Sequence, residues 1–228
     1  MQLSERKAII TGGPTREWID PVRFISNPST GKMGVAIADV CSGRARETVF
    51  IHGPIDSSLV NAKKYRCVAV ESTVDMLKAV AGELCENAVL VMAAAPADYS
   101  PVSRSDRKIK KSDENLLLEL KKTPDILREV AAMKRDGRIN NVFTVGFAAE
   151  TNNLDEYALK KLSEKNLDMI CLNDVSRSDA GFGSDTNIIT IFFRNGVRKD
   201  LPLISKHEVA ARIVEEIESR LPRYLISQ

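Results

Sequence analysis

Cysteine is sparse in this chain, and long apolar runs are missing altogether. Cys41, Cys67, Cys85 and Cys171 are the only thiols among 228 residues. No two form a C-x-x-C pair and none has a neighbouring histidine, which argues against a zinc site and, in a chain this long, against a disulfide framework. They read as reduced, half-buried thiols. No stretch approaches the ~20 apolar residues that a membrane-spanning helix requires. The first seven residues are polar and unlike a signal peptide. The expectation is therefore a cytoplasmic protein with no membrane partner. Net charge is nearly absent too: 33 Lys and Arg against 31 Asp and Glu leave +2, too little for nucleic acid to be the main ligand. Internal repeats, low-complexity tracts and a clear linker are also lacking, so residues 1–228 read as one domain.

What is present suits a globular α/β protein. Hydrophobic residues make up 43% and charged residues 28%, enough for a core of normal size. Lys7 to Thr11 reads as a buried strand ending in Gly12-Gly13-Pro14-Thr15. A long polar loop follows, and a helix opens around Val35. Short apolar runs at Thr48–Ile51, Cys67–Val70, Val89–Met92, Val142–Val145 and Asp168–Leu172 read as further strands. Between them, Ser72 with Asp75 opens one helix. Thr123-Pro124-Asp125 opens another, with Thr123 as the N-cap, and a third runs from about Leu154 to Lys165. Leu116–Leu120 reads as an extra strand. Ile188–Phe193 and Val197–Leu201 flank Asn195-Gly196, a hairpin signal. Ser205 and Glu208 form a capping box before the last helix, whose buried face carries Ile213, Val214, Ile217 and Leu221. Strands apolar on both faces alternate with helices, which predicts a doubly wound, Rossmann-like, mainly parallel sheet with helices on both faces and a β-hairpin near the C-terminus.

In such sheets ligands bind beyond the carboxyl ends of the strands. Those ends here are glycine-rich, small or polar: Gly12–Thr15, Ala94–Asp98, Gly146–Thr151 and Asn173-Asp174. The P-loop pattern fails, because Ser26 stands where its first glycine belongs and Met33 follows Lys32. The dinucleotide pattern G-x-G-x-x-G fails after Gly12-Gly13. Tyr157 and Lys161 have the spacing of a short-chain dehydrogenase pair, but Arg16 and Trp18 occupy the places of that family's glycines. Asn27 to Gly34 still reads as an anion site, with hydroxyls, glycine and lysine immediately before a helix. Lys108-Ile109-Lys110-Lys111 reads either as a solvated basic strand or loop or, since it shares a loop with Asp98, as a source of cations for a leaving pyrophosphate.

Together the stretches Gly12–Gly34, Ala93–Pro101, Lys108–Lys111, Lys121–Leu127, Val145–Lys161 and Lys165–Val175 resemble the bacterial phosphopantothenoylcysteine synthetase family over almost the whole chain. The resemblance implies a ligase of coenzyme A synthesis. It activates 4′-phosphopantothenate with CTP as an acyl-cytidylate, releases pyrophosphate, and lets the amine of cysteine displace CMP, with Mg²⁺ accompanying the triphosphate. It implies that Asn27 contacts the activated acyl group. It further implies that Ala93, Ala94, Asp98, Lys108, Pro124, Asp125, Ile126, Leu127, Phe147, Lys161 and Lys165 serve the nucleotide, with Lys108 also catalytic. Gly12, Ser29, Thr30, Gly31 and Lys32 would bind phosphate or substrate. No metal ligands are assigned. Many members carry a flavin-dependent decarboxylase ahead of this domain. The resemblance begins directly after Met1, so no flavin is expected and the alternatives are a free-standing enzyme or a domain of a larger protein. A homodimer is implied. Two other classes stay open: a CTP-binding regulatory module without catalysis, and a nicotinamide dehydrogenase.

Overall fold

The computed structural model describes residues 2–111, 115–150, 154–174 and 184–221. Its centre is an eight-stranded sheet. In chain order the sheet strands are β1 (Lys7–Gly12), β2 (Glu47–His52), β3 (Arg66–Ala69), β4 (Val89–Met92), β5 (Phe143–Glu150), β6 (Met169–Asp174), β7 (Ile189–Phe193) and β8 (Arg198–Asp200). The helices between and after them are α1 (Lys32–Ser42), α2 (Thr73–Glu83), α3 (Ile126–Arg135), α4 (Leu154–Glu164) and α5 (Lys206–Arg220). In space the strands run β3-β2-β1-β4-β5-β6-β7-β8. The first six pair in parallel, and β7 and β8 add antiparallel. The order reverses between β1 and β4, the topological switch point of a doubly wound sheet.

The strands are apolar on both faces because both faces are covered. Ile10, Val89, Val91, Met169 and Cys171 meet α1 and α5 on one side. Ile9, Val49, Leu90, Ile170 and Leu172 meet α2, α3 and α4 on the other. Each such isoleucine or leucine contributes about 1.5–3 kcal/mol on burial. The expected capping boxes form at Ser72 with Asp75 and at Ser205 with Glu208. The hairpin between β7 and β8 turns at Gly196, which adopts a left-handed φ of 82°.

Two local expectations are corrected. Asp125, not Thr123, caps α3, its carboxylate accepting from the Arg128 N–H. The Thr123 hydroxyl is diverted to the carbonyl of Ala97, 2.6 Å away. The extra strand is Leu120–Lys122, paired with Tyr99–Pro101, rather than Leu116–Leu120. Leu116, Leu117 and Leu118 are exposed, so consecutive leucines find no second layer to bury them.

Two glycines let segments cross at backbone distance beside the switch point. A Cβ on Gly53 would fall 1.5 Å from the Pro14 carbonyl oxygen, and one on Gly34 would fall 2.7 Å from that of Thr11. Gly82 in α2 has open space around it. Gly53→Ala should therefore lower the free energy of unfolding by about 1–3 kcal/mol or more. Gly82→Ala should raise it by roughly 0.5–1 kcal/mol. Urea titrations of the two variants check the opposite signs.

Candidate functional site

A cavity of about 970 Å³ opens over the carboxyl ends of β4, β5 and β6. Its walls are residues 27–34 leading into α1, the 92–99 segment after β4, the start of α3 from Lys122 to Glu129, and Phe147–Ala149 of β5. Lys161 and Lys165 of α4, Asn173, Asn187 and Lys206 complete it.

Buried polar groups hold the two loops at the switch point together. Glu17 is 6% exposed. Its Oε1 accepts from the Thr15 hydroxyl at 3.1 Å and from the N–H and hydroxyl of Thr73, both at 2.8 Å. Thr15 in turn accepts from the Ala97 N–H at 2.9 Å. Pro14 and Ala95 form an isolated parallel bridge, and the Ala95 N–H donates to the Gly13 carbonyl. Asn27 adds a side-chain tie, its Nδ2 donating to the carbonyls of Ala95 and Pro96 at 3.2 and 3.0 Å. Both amide hydrogens are thus engaged, and Oδ1 is the end of this side chain left for another donor.

The other end of the cavity is cationic. Lys165 pairs with Asp125 at 3.0 Å. Burial raises the Asp125 carboxyl, but the hydrogen bond and charge of Lys165 outweigh it and leave the group below the usual range. Lys161 donates to the carbonyl of Phe147 at 2.7 Å. Asp98 is exposed, and its backbone carbonyl receives the Thr123 N–H. Tyr157, four residues before Lys161, is half-exposed and outside the cavity wall.

The structure brings together Asn27, Ser29, Thr30, Gly31, Lys32, Ala93, Ala94, Asp98, Pro124, Asp125, Ile126, Leu127, Phe147, Lys161 and Lys165. It leaves out two expected residues. Gly12 lies beneath the site against Phe50 and Gly34. Lys108 is exposed and outside the wall. The segment bearing Lys108 is nevertheless anchored. The buried Asp20 carboxylate accepts from the Ile109 N–H at 3.2 Å, and Arg23 donates to the Ile109 carbonyl at 2.8 Å. The Arg23 guanidinium beside Asp20 holds that carboxyl well below the usual range. Glu17, Thr73, Asp20, Asn187 and Lys206 escape a sequence reading, since no local pattern marks a polar residue for burial. Thr73 and Lys206 each follow the N-cap serine of a capping box, which places them at a helix start but does not mark them for burial.

The strand order and a cavity beside its reversal define a Rossmann-like, doubly wound α/β protein with its ligand crevice at the switch point. The chain belongs to the DNA/pantothenate metabolism flavoprotein C-terminal domain family, matched over residues 3–221. It is 44% identical over 216 residues to the coenzyme A biosynthesis bifunctional protein CoaBC of Bacillus subtilis, covering 94% of this chain and 52% of that one. The chain thus spans about half the length of the curated relatives it matches. The crystal structure of the C-terminal domain of a CoaBC protein has 38% identity and a TM-score of 0.75, covering 96% of this chain and 97% of that one. A Cab2 variant in complex with phosphopantothenate-cysteine shares the fold at 18% identity and a TM-score of 0.71, covering 96% and 88%.

Asn27→Asp would set carboxylate oxygens against the Ala95 and Pro96 carbonyls in place of two donors. It should cost about 1–3 kcal/mol of stability for each carbonyl left unsatisfied. Chemical denaturation checks this, and an unchanged midpoint would mean that the tie carries no weight.

Proposed function

We propose that this chain catalyses the phosphopantothenoylcysteine synthetase reaction, joining 4′-phosphopantothenate to cysteine at the expense of CTP. The observation that carries the reading is the cavity itself. It gathers into one wall nearly all the residues that the family resemblance marks, although they come from five separate stretches of sequence. Membership of the family and similarity to CoaBC support the substrate class.

In this reading the nucleotide lies against Ala93 and Ala94, whose small side chains admit close approach to the backbone. The base meets Pro124–Leu127 and Phe147, and Lys161 and Lys165 face the phosphates. The pantothenate carboxylate attacks the α-phosphorus, a bond to oxygen forms, and pyrophosphate leaves with its electron pair. The cysteine amine then attacks the acyl carbon, CMP departs, and the amine loses a proton. An amine does not displace oxide from a free carboxylate, so activation comes first. Asn27 adjoins the acyl group, and one of its N–H groups exchanges a loop carbonyl for the developing oxyanion as substrate enters. Mg²⁺ would arrive with the triphosphate, held mainly by phosphate oxygens and water. Among the described residues no three His, Cys, Asp or Glu side chains gather to hold a metal, and exposed Asp98 is a carboxylate in the wall suited to it.

A homodimer is part of the proposal. The two-stranded arm of Tyr99–Pro101 and Leu120–Lys122 exposes Tyr99, Val102 and Leu120, with Leu116 to Leu118 beside it. Such an apolar arm suits a second copy across a two-fold axis. Lys108, outside its own chain's cavity, is then available to the partner's site.

Four outcomes test this reading. Enzyme, Mg²⁺, CTP and 4′-phosphopantothenate without cysteine should release about one pyrophosphate per site and then stall, as expected of a first half-reaction. Recovery of CDP and phosphate would show the mechanism to be wrong. CTP should be used with higher kcat/KM than ATP, and equal values would remove the pyrimidine preference. Lys108→Gln should cut turnover by ~10²-fold or more, as loss of a charge-stabilising donor does. Light scattering should give twice the chain mass of 25.2 kDa.

A further inference from the structure

The long connection from β1 to α1 folds back on itself as a small hairpin, Glu17–Trp18 paired with Phe24–Ile25. Asp20 stands in its turn and is 0% exposed. Its Oδ1 closes the turn, accepting from the Val22 and Arg23 N–H groups at 2.8 and 2.9 Å. A carboxylate that served the turn alone would need only that oxygen. Oδ2 instead accepts from Nε and Nη2 of Arg23 and from the Ile109 N–H, the last at 3.2 Å. Arg23 Nη2 also donates to the Ile109 carbonyl at 2.8 Å. One ion pair thus takes both backbone polar groups of a residue far along the chain.

Residues 108–111 form no helix or strand. An irregular segment has no ladder of hydrogen bonds to order it, so what grips it from outside sets its conformation. The grip falls on Ile109, which is half-buried, while Lys108 and Lys110 on either side are exposed. Farther back, the Ser105 N–H donates to the carbonyl of Ile19, next to Asp20, at 2.9 Å. The Arg104 guanidinium lies 5.8 Å from the centre of the Trp18 ring. The hairpin therefore holds the backbone of this segment and leaves its lysine side chains able to reach a ligand.

A cation speeds phosphoryl chemistry only if it is in place as charge develops on the leaving group. A lysine on a loose loop would have to be ordered, backbone and side chain together, at each turnover. Asp20 lies outside the cavity wall, so any effect it has on the reaction must pass through another residue. We propose that Asp20 is a positioning residue, which holds the 105–111 segment in one conformation and so presents the Lys108 ammonium to the nucleotide phosphates. The role of Lys108 rests on the ligase reading, and the clasp serves it in whichever chain's site the lysine works.

Limited trypsin digestion and pyrophosphate release, run together on the full chain and on Asp20→Ala, test this. Cleavage after Arg107, Lys110 and Lys111 should speed up by ~10-fold or more in Asp20→Ala, since proteolysis follows the population of the opened segment. Its kcat should fall by ~10-fold or more with the KM for cysteine unchanged. In the Lys108→Gln background the same substitution should change kcat by less than ~2-fold, because both changes act on one group. A merely structural aspartate would instead lower kcat by the same factor in both backgrounds, and that result overturns the proposal. So do unchanged cleavage, full turnover with the segment loosened, or full turnover in Lys108→Gln itself. If Asp20→Ala fails to fold, Ile109→Pro, which deletes the N–H that Asp20 receives, is read in the same way. Asp20→Asn, which keeps an acceptor oxygen, should fall between the parent and Asp20→Ala. If the parent releases no pyrophosphate, the ligase reading falls and digestion alone decides the clasp: faster cleavage in the variant supports it, and unchanged cleavage overturns it.

Discussion

The structure depends on a buried carboxyl at the switch point. Glu17 accepts three hydrogen bonds from Thr15 and Thr73 in a place almost closed to water. A carboxyl group buried without such partners would be costly. Filling its acceptor sites therefore fixes the loop after β1, and Thr15 passes the constraint to Ala97 on the neighbouring loop. Asn27 then ties its own segment to that loop through two carbonyls. The path from β1 to α1 is long and polar, yet it is held at both ends by side chains rather than by a regular element. This rigid rim lets residues from separate stretches line one cavity.

The glycines serve the same arrangement by absence of bulk. At Gly34 and Gly53 backbone meets backbone without intervening Cβ atoms. Helix α1 thus lies close to β1, and its uncapped first turn opens on the cavity. Packing, loop pinning and ligand access are one geometric solution. The two faces of the sheet remain distinct in the cavity, with α3 and α4 supplying one set of cations and α1 and α5 another.

Much of this was legible in the residues themselves. Short strands apolar on both faces announced a sheet covered on both sides, and β1, β2, β3 and β4 fall within a residue or so of where the apolar runs placed them. The capping boxes and the Asn195-Gly196 hairpin were equally plain, because each depends on neighbours three or four positions apart. The failures share a cause. Thr123 has good capping chemistry, but a loop carbonyl from residue 97 competes for its hydroxyl. The leucines from Leu116 have strand propensity, but no layer lies over them.

Sequence alone determined what short-range chemistry determines: the alternation of strands and helices, their caps and turns, the glycine-rich strand ends, and the family motifs that point to a ligase. Tertiary structure decided which of those motifs share a cavity. It placed Asp98, Lys161 and Lys165 in the wall with Asn27, and set Gly12 beneath it and Lys108 outside it. It also decided that Glu17, Asp20, Asn187 and Lys206 are buried. Burial of a polar side chain depends on segments tens to hundreds of residues away that fold over it, and no local pattern of residues records that distance.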